Sequence, residues 1–522
     1  MRVRLLLAMA AVVAVSPAVY PQAIRIDEQM QKLLIAESAI SGLYVDEVSD
    51  SSLVESGIRA MLEELDPHST YLTAQEVRES NEQLQGNFEG IGVQFNMVRD
   101  TLFIVQTIPD GPSEKAGIIA GDRIVTANDT SIAGVNMTNA QIMSRLRGPK
   151  GTIVRLGVLR QGIADLIHFD VVRDVIPVNT VDASFIAAPG VGYVRISSFG
   201  AATVNEFRAA LAKLRKNGAK SLILDLQGNG GGYLGAAVGM ANEFLDRDRM
   251  IVYTEGRASQ KMSYRADGNG NFRQGTLAVL INEFSASASE IVSGAVQDWD
   301  RAVVIGRRSF GKGLVQRPVE FPDGSMIRLT IAKYFTPSGR CIQKPYGDDV
   351  DYSNDIVERL HSGQLVSADS IHFADSLRYS TLLEGRTVYG GGGIMPDVFV
   401  PIDTTHVTQW YREASAHGAV LQTSLGYVDR HRKEITRRYR TFAAYKSDFT
   451  VEGELLDMLK SEAARLNVDF SQEQFDQSLP YVTVQLKALI ARDIWGMSEY
   501  YSIVNALDPV YCRAVEYMTY GK

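Results

Sequence analysis

A chain of 522 residues is longer than one hydrophobic core organises, so about two to four domains are expected. Its 53 Lys and Arg against 61 Asp and Glu give a net charge of -8 without long blocks of one sign, which argues against a nucleic-acid partner. Cys341 and Cys512 are its two cysteines, too few for a disulfide framework.

The first residues have the pattern of a signal peptide. Arg2 and Arg4 precede an apolar run, Leu5 to Val15, that is too short to span a bilayer, and Ala18 suits a cleavage site. We therefore expect a signal peptide at 1–18 and an exported protein, periplasmic or in the cell envelope. A retained N-terminus, which would associate the protein with the membrane, is the alternative.

Apolar residues then recur at helical spacing, as in Met30, Leu33 and Leu34, and predict an N-terminal helical domain over 19–81. The segment Asp66-Pro67-His68-Ser69 interrupts this pattern. Pro67 disfavours helix in the residue before it, and Asp and Ser favour turns. A helix is expected to end there, and His68 is interpreted as a turn residue.

Between residues 82 and 175 the pattern changes to short alternating strands around one helix, which predicts a compact β-rich domain. Gly90-Ile91-Gly92-Val93 leads one strand, and Gly121-Asp122-Arg123-Ile124 leads another. These residues resemble a PDZ domain. The resemblance implies that the loop of Gly90, Ile91, Gly92 and Val93 binds the C-terminus of a peptide, with backbone amides meeting its carboxylate. A glycine-rich turn in an ordinary β domain is the alternative.

Apolar strands alternate with helices through residues 176–404, and this alternation predicts a buried, mostly parallel sheet. Val191–Ser197, Ser221–Leu226 and Leu277–Ile281 are the clearest strands. Ligand sites on such sheets gather at the carboxyl ends of the strands. Two unusual loops lie at those ends.

The first loop contains Gly228, Gly230, Gly231 and Gly232 directly after a strand. Glycines let backbone amides approach a ligand, which suits an oxyanion site or a phosphate site. The Gly-Lys-Ser/Thr of a P-loop and the spaced glycines of a dinucleotide site are both incomplete in this loop. Oxyanion stabilisation is therefore favoured, with a tight turn as the alternative.

The second loop carries Ser285, Ser287 and Ser289 at a predicted helix start. Ser287 and Glu290 have capping-box spacing, so a helix cap explains Ser287 by itself. Lys312, between Gly311 and Gly313, changes that interpretation. A lysine withdrawn from water loses its preference for charge, and it can then activate a serine as a base.

Together these residues resemble the C-terminal processing peptidases, also called tail-specific proteases, which are Ser-Lys endopeptidases. The similarity extends from Leu65-Asp66-Pro67-His68-Ser69 to Tyr334-Phe335-Thr336-Pro337-Ser338-Gly339-Arg340 and to Gly390-Gly391-Gly392-Gly393-Ile394-Met395-Pro396-Asp397. The resemblance selects Ser287 as nucleophile and Lys312 as general base, with Gln316 orienting Lys312.

The resemblance also implies that the amides of Ala288 and of Gly231 or Gly232 stabilise the oxyanion. Asp298 is expected to support the site rather than to react. One departure is Gln227, where the family commonly has arginine, and this change puts the anchoring and regulation of the loop in question. Residues 405–522 lie outside the family pattern and predict a charged helical accessory or oligomerisation domain.

The predicted architecture is therefore a multi-domain α/β protein: a mostly parallel protease core, an inserted PDZ-like domain, and helical regions at both ends. The predicted function is exported serine endopeptidase on proteins or peptides with free, apolar C-termini, without cofactor or metal. A non-catalytic peptide-binding protein or chaperone that uses the PDZ groove is the alternative. A trypsin-like protease is excluded because none of the histidines in the sequence lies in a recognisable catalytic context. A metallopeptidase is excluded because the motif His-Glu-x-x-His does not occur.

Overall fold

A computed structural model of the chain describes residues 27–97, 100–347 and 350–521. The predicted signal peptide at 1–18 lies outside the described residues. The chain forms two compact units, Met1–Leu65 and Asp66–Lys522. This division falls earlier than the predicted domain boundary at residue 81. Within the described ranges, no helix combines the length and apolar character needed to cross a membrane.

The described part of the first unit consists of two helices, α1 (Glu28–Leu43) and α2 (Asp50–Glu63). Asp27 caps α1 by accepting from the amides of Gln29 and Met30, and Ser49 caps α2. Both helices agree with the predicted helical spacing. No residue of α1 is buried, and its apolar side chains Leu33, Leu34 and Ile35 are exposed.

The second unit begins with a strand that the sequence analysis did not predict, β1 (Thr70–Leu72), followed by α3 (Ala74–Gln85). Thr73 caps α3 through a capping box with Glu76. β1 pairs antiparallel with a strand of the protease core, with Thr70 opposite Arg328. The expected helical domain therefore ends at the turn after Leu65, because the following residues are held in the core's sheet.

The β-rich domain is inserted after α3, and its elements are β2 (Asn87–Gly90), β3 (Val93–Met97), β4 (Leu102–Thr107), α4 (Pro112–Ala116), β5 (Arg123–Ala127), β6 (Thr130–Ser131), α5 (Asn139–Leu146), β7 (Ile153–Leu159), β8 (Ile167–Val172) and β9 (Asp174–Pro177). The antiparallel sheet has the order β3-β4-β5-β7-β8, with β6 beside β5. β2 and β9 pair separately and form the ribbon through which the chain enters and leaves this domain.

The protease core comprises β10 (Val181–Ala188), β11 (Val191–Ile196), α6 (Thr203–Lys216), β12 (Ser221–Asp225), α7 (Leu234–Asn242), β13 (Met250–Gly256), β14 (Ser259–Arg265), β15 (Leu277–Ile281), α8 (Ala288–Asp298), β16 (Val303–Gly306), β17 (Leu314–Glu320), β18 (Met326–Phe335), α9 (Asp355–His361), β19 (Arg378–Ser380), β20 (Thr387–Tyr389) and β21 (Val398–Phe399). Its six-stranded sheet has the order β10-β11-β12-β15-β16-β21. Every pair in it is parallel except β10 with β11. The predicted mostly parallel sheet is confirmed.

A second sheet of the core is antiparallel and was not predicted. It has the order β1-β18-β13-β14, and β17 also pairs with β18. The pairing of β18 with β1 and β13 joins strands that are far apart in sequence. Strands β14 and β17 are largely exposed, so their sequences lack the continuous apolar runs of the parallel strands. The β17–β18 hairpin carries residues that line the cleft described below.

The C-terminal region is helical, as predicted, and consists of α10 (Gln409–Ala416), α11 (Ala419–Arg438), α12 (Phe442–Asp448), α13 (Glu454–Arg465), α14 (Gln472–Ile494), α15 (Met497–Val504) and α16 (Pro509–Tyr520). Helices α10 to α15 build a core of their own. Val510 and Ala514 of α16 instead pack on the parallel sheet, against Tyr193 and Ile223.

Helix α11 covers the PDZ-like sheet from the face opposite its core. Phe103 and Val105 of β4 are buried against Leu425 of α11. Arg123 forms an ion pair with Asp429 at 2.6 Å, and Gln422 donates to the Met97 carbonyl at 2.8 Å. β4 is therefore buried on both faces, which is unusual for an antiparallel sheet that would otherwise present one face to water.

Candidate active site

The three serines of the loop before α8 have different environments. Ser285 Oγ donates to the Leu226 carbonyl at 2.8 Å, and Ser289 Oγ donates to the Asn229 carbonyl at 2.9 Å. Both hydroxyls therefore fasten the serine loop to the glycine loop. Ser287, between them, lines the cleft instead.

Ser287 has an unusual backbone conformation, with φ of 56° and ψ of -110°. The other non-glycine residues with positive φ in the described ranges are all Asp or Asn, which tolerate this region best. Helix caps normally have extended backbone. A sharp, strained turn between a strand and a helix is the arrangement that presents a nucleophilic serine at the edge of a sheet. Helix capping alone therefore does not explain the backbone conformation of Ser287.

Glu290 connects the serine loop to the lysine loop from a fully buried position. Its Oε2 accepts from the amides of Ser287 at 2.7 Å and Lys312 at 2.9 Å. Its Oε1 accepts from the Gly311 amide at 2.7 Å and from Ser309 Oγ at 2.5 Å. Burial raises the pKa of Glu290 to about 7, against the opposing effect of these hydrogen bonds. One carboxylate therefore sets the relative position of both loops.

Tyr334 makes a second connection between the same two loops. Its buried phenol lies 3.1 Å from the Ser287 carbonyl and 2.6 Å from the Lys312 carbonyl, and it donates toward both. Tyr334 lies on β18, so the antiparallel sheet also helps to position Ser287 and Lys312.

Lys312 is half-buried in the cleft beside Gln316. Its Nζ donates to Gln316 Oε1 at 3.2 Å, and Gln316 Nε2 donates to the His68 carbonyl. The second contact fixes which end of the amide faces the lysine. Burial lowers the pKa of Lys312, and nearby Arg328 lowers it further, while Asp66 and Glu290 oppose these effects. The neutral amine needed for a general base is therefore favoured relative to a lysine in water.

The glycine loop places two amides beside Ser287. Gly231 has φ of 107°, and a Cβ built there would lie 2.9 Å from Ser287 Cβ and 3.1 Å from Ala288 N. However, the Gly231 amide donates to Asn229 Oδ1 at 2.9 Å. This bond occupies the hydrogen that the Gly231 amide would need to donate to an oxyanion.

Gly232 is in a parallel bridge with Phe199. Phe199 donates to the Gly231 carbonyl and accepts from the Tyr233 amide, so the N–H of Gly232 points away from Phe199. Ala288 N is the first amide of α8, where the helix itself supplies no acceptor. Among the described residues neither amide has an acceptor, and both residues line the cleft. Gly232 and Ala288 are thus the available pair of donors.

The cleft has a volume of about 730 Å³ and contains Ser287, Lys312, Gln316, Gly232 and Ala288 together. Leu84 and Val178 also line it. Leu84 lies just before the β2–β9 ribbon and Val178 just after it. The two segments that connect the PDZ-like domain to the core therefore form part of the cleft wall.

Asp298 lies at the far end of α8 and does not line this cleft. Its carboxylate forms an ion pair with the buried Arg340 at 2.7 Å and accepts from the Ser338 amide at 2.9 Å. It holds the Thr336–Arg340 turn that follows β18. A supporting role for Asp298 stays a prediction.

The residues predicted to bind a peptide C-terminus form the loop between β2 and β3. Gly90 pairs with Asp174 in the ribbon, and Val93 begins β3, an edge strand of the sheet. The Ile91 side chain is buried in the domain core, and its carbonyl accepts from Ser113 N and Oγ. Binding of a peptide carboxylate by the backbone amides of this loop stays a prediction.

Gln227, the departure from the family pattern, faces the C-terminal region. Its Nε2 donates to Asp508 Oδ2 at 2.6 Å, and Asp508 also caps α16. Arg195 supplies a positive charge at this point: it forms an ion pair with Asp225 at 2.7 Å and donates to the Gln227 carbonyl at 2.9 Å. The glycine loop is thus anchored to α16 and to a guanidinium from the neighbouring strand.

Comparisons with known proteins identify two families in the chain. Residues 190–352 match the family described as "Peptidase family S41", and residues 90–171 match "PDZ domain". The carboxy-terminal processing protease CtpA of Bacillus subtilis (strain 168) is 37% identical over 319 residues, covering 61% of this chain and 67% of that protein. The chain belongs to the carboxy-terminal processing proteases. The carboxy-terminal-processing protease of Bartonella bacilliformis is 37% identical over 305 residues, covering 58% of this chain and 69% of that protein.

Membership of this family makes the chain a serine peptidase with a PDZ domain, acting on proteins or peptides. The predicted family, fold class and enzyme class are confirmed. A solved structure, the photosystem II D1 C-terminal processing protease, is 26% identical and covers 73% of this chain and 95% of that one, with a TM-score of 0.35. Residues 410–496 match a family of unknown function.

Sequence reasoning missed the residues that hold the reacting groups in place. Glu290 was interpreted as a capping partner, although its carboxylate contacts both loops. His68 was interpreted as a turn residue, although its carbonyl orients Gln316. Tyr334 was part of a quoted motif without a role. Each of these residues lies in a motif that the sequence analysis names. Their contacts with Lys312 or Gln316, however, join residues more than twenty positions apart, so the spacing within a motif does not reveal them.

Proposed function

We propose that this peptidase cuts peptide bonds by attack of Ser287 Oγ, with Lys312 as the general base. The observation that carries the proposal is that Ser287, on its strained turn, and Lys312 line one cleft while Glu290 and Tyr334 hold their backbones together. The neutral Lys312 amine takes the Ser287 proton as Oγ bonds to the scissile carbonyl carbon. The amides of Gly232 and Ala288 stabilise the resulting oxyanion.

Lys312 then returns the proton to the leaving amine as the C–N bond breaks, which leaves an acyl group on Ser287. A water molecule then gives a proton to Lys312 as its oxygen bonds to the ester carbonyl carbon. The bond between that carbon and Ser287 Oγ breaks, Lys312 returns the proton to Oγ, and the carboxylic acid product leaves with Ser287 and the neutral Lys312 restored. Gln316 keeps one Lys312 hydrogen occupied, so that the amine lone pair is free for this transfer. Burial and the Arg328 charge favour the neutral form.

Substrate recognition is assigned to the PDZ domain. The amides of the Gly90–Val93 loop and the edge of β3 are suited to an extended peptide with a free C-terminal carboxylate, with apolar side chains meeting the groove. Since Leu84 and Val178 flank the inserted domain and line the cleft, peptide binding is proposed to influence the catalytic cleft through the β2–β9 ribbon. Replacing Gly92 by a bulky charged residue should slow cleavage of tailed substrates more than cleavage of short peptides.

Export and association complete the proposal. The N-terminal pattern supports export with cleavage after Ala18, and Edman sequencing of the protein recovered from the cell envelope would give the mature N-terminus. Recovery in the membrane fraction with Met1 retained would instead support the membrane-associated alternative. Exposed Leu33, Leu34 and Ile35 on α1 support self-association, which light scattering on the purified full chain measures.

The decisive experiment compares wild type with Ser287→Ala and Lys312→Met on a loosely folded protein with an apolar C-terminus. Both variants should lose at least about 1,000-fold in turnover, because the nucleophile and its base act as a unit. Ser263→Ala is the control, since Ser263 is an exposed residue of β14 that does not line the cleft. Cleavage by Ser287→Ala at the wild-type rate would refute the proposal.

A further inference from the structure

The turn Asp66–Ser69 lies next to the catalytic lysine's partner. Its His68 carbonyl accepts from Gln316 Nε2, and Gln316 Oε1 accepts from Lys312 Nζ. An amide held at its NH₂ end cannot rotate to present that end to Lys312. The orientation of Gln316 toward the lysine thus depends on where the His68 carbonyl is placed.

The Asp66 carboxylate determines the shape of this turn. Its Oδ1 accepts from the amides of His68 at 2.9 Å and Ser69 at 3.0 Å, and its Oδ2 accepts from Ser69 Oγ at 2.6 Å. Asp66 and Ser69 are both buried. A buried, fully bonded aspartate turn of this kind is costly to distort.

The same turn is fastened to the strand opposite Gln316. Thr330 Oγ1 donates to Asp66 Oδ1 at 3.1 Å, and Thr330 N donates to Ser69 Oγ at 3.1 Å. In the β17–β18 hairpin Thr330 is the cross-strand partner of Gln316. The turn is therefore bonded to the residue directly opposite Gln316, and this pairing fixes the position of the His68 carbonyl relative to the Gln316 amide.

We propose that the Asp66–Ser69 turn is a positioning element of this peptidase, in which Asp66 holds the His68 carbonyl that orients Gln316 and thereby Lys312. The inference rests on the proposed roles of Ser287 and Lys312 and adds Asp66 to them. Asp66 does not contact the reacting atoms, so its effect on their position passes through Gln316.

Asp66 also acts on Lys312 by its charge. The charged groups facing Lys312 are Arg328 on β18, Asp66 in the turn and Glu290 on α8, and Lys312 in turn helps to keep the adjacent His68 neutral. Asp66 favours the lysine cation and Arg328 disfavours it. Removal of the Asp66 charge should therefore lower the pKa of Lys312, and removal of the Arg328 charge should raise it.

Two substitutions of Asp66 separate position from charge. Asn keeps the acceptor for the His68 and Ser69 amides, so Asp66→Asn should retain the maximal rate within about threefold. Since the neutral lysine is the active form, the acidic limb of its kcat/KM profile should move to lower pH. Asp66→Ala removes the turn and should reduce kcat about 100-fold. Arg328→Gln should move the acidic limb in the opposite direction, to higher pH.

A double-mutant cycle tests whether Asp66 acts through Gln316. If it does, Asp66→Ala should change kcat by less than about threefold in a Gln316→Ala background. Asp323→Ala is the matched control, because Asp323 holds an equivalent turn through Ser325 N and Oγ at the distant end of the same hairpin. It should leave kcat and the pH profile unchanged. Chemical unfolding of each variant identifies loss of fold, and Asp66→Asn then carries the test.

Several results would overturn the inference. Full additivity of Asp66→Ala with Gln316→Ala would place the effect of the turn elsewhere. An unmoved acidic limb in Asp66→Asn, or one moved to higher pH, would contradict the charge argument. The proposed function fails in a distinguishable way: Ser287→Ala would then cleave like wild type, and the rate of Ser287 labelling by a fluorophosphonate would not depend on Lys312.

Discussion

Substitution of Gly231 by alanine tests whether the glycine loop fixes the nucleophile. The added Cβ would lie 2.9 Å from Ser287 Cβ, 3.0 Å from the Ala286 carbonyl oxygen and 3.1 Å from Ala288 N. Carbon atoms in comfortable contact are about 3.5 to 4.0 Å apart, so Ser287 or the loop must move by about 0.5 to 1 Å. Gly231 also has φ of 107°, which an alanine adopts only with strain.

The size of the effect follows from these distances. A displacement near 1 Å between reacting groups costs about 100-fold in rate, and loss of one oxyanion donor costs about 100- to 1,000-fold. Because Ala288 N is among the atoms displaced, we expect Gly231→Ala to lose between about 100- and 1,000-fold in kcat. The backbone strain should lower the free energy of unfolding by about 1 to 3 kcal/mol.

The assay measures initial rates on a fluorogenic peptide, the rate of Ser287 labelling by a fluorophosphonate, and the unfolding midpoint. Gly235→Ala is the matched control, four residues away in α7, where a Cβ meets nothing within 4 Å. It should keep its activity and its free energy of unfolding within about 1 kcal/mol, because alanine fits this backbone and restricts the unfolded chain more than glycine does. Activity of folded Gly231→Ala within about threefold of Gly235→Ala would refute the reasoning.

Three further outcomes are expected. Glu290→Gln should lower the free energy of unfolding by about 1 to 3 kcal/mol and slow turnover, because the NH₂ group of the glutamine must face at least one of the backbone N–H donors that now bond to the carboxylate. Unfolding curves and rates of peptide cleavage measure these effects, and an unchanged rate would argue against a role of Glu290 in positioning. Arg123→Glu should destabilise the chain by placing like charges beside Asp429, and Asp429→Arg in the same chain should restore the loss, with thermal unfolding of the single and double variants as the check. Burial lowers the pKa of His68 from 6.5 to about 4, so between these pH values the unfolded chain holds a proton that folded His68 does not. The free energy of unfolding should therefore rise with pH across this window. His68→Asn should flatten this pH dependence in urea unfolding, and an unchanged slope would contradict the pKa shift.

The parallel sheet and its helices were predictable from sequence because their stabilising pattern is local. Leu277–Ile281 was predicted with its observed bounds, since a fully buried strand needs an uninterrupted apolar run. Strand β1 was missed for the opposite reason. Thr70–Leu72 is short, and it is a strand because β18, about 250 residues later, supplies its hydrogen-bond partners.

The residues selected from sequence for the candidate site lie together in the structure. Ser287 and Lys312 were selected by family spacing, and the structure brings both into one cleft with Gln316. Assignment of Gly231 as a possible oxyanion donor could not be decided from glycine alone, because the competing acceptor is the Asn229 side chain. Likewise the contact of Gln227 with Asp508 depends on the C-terminal region, for which the family pattern supplied no expectation.

The double burial of β4 has a consequence for how this protein could have been assembled. Phe103 and Val105 are apolar on the face where an independent PDZ domain would be wet, and Leu425 of α11 covers them. This domain could not be exchanged freely with the PDZ domain of a relative. A foreign PDZ domain would leave Leu425 without the apolar partners Phe103 and Val105, and this domain would expose those two side chains to water in the other protein. The PDZ domain and the C-terminal helices are thus expected to have been inherited as a pair, each setting which substitutions the other tolerates.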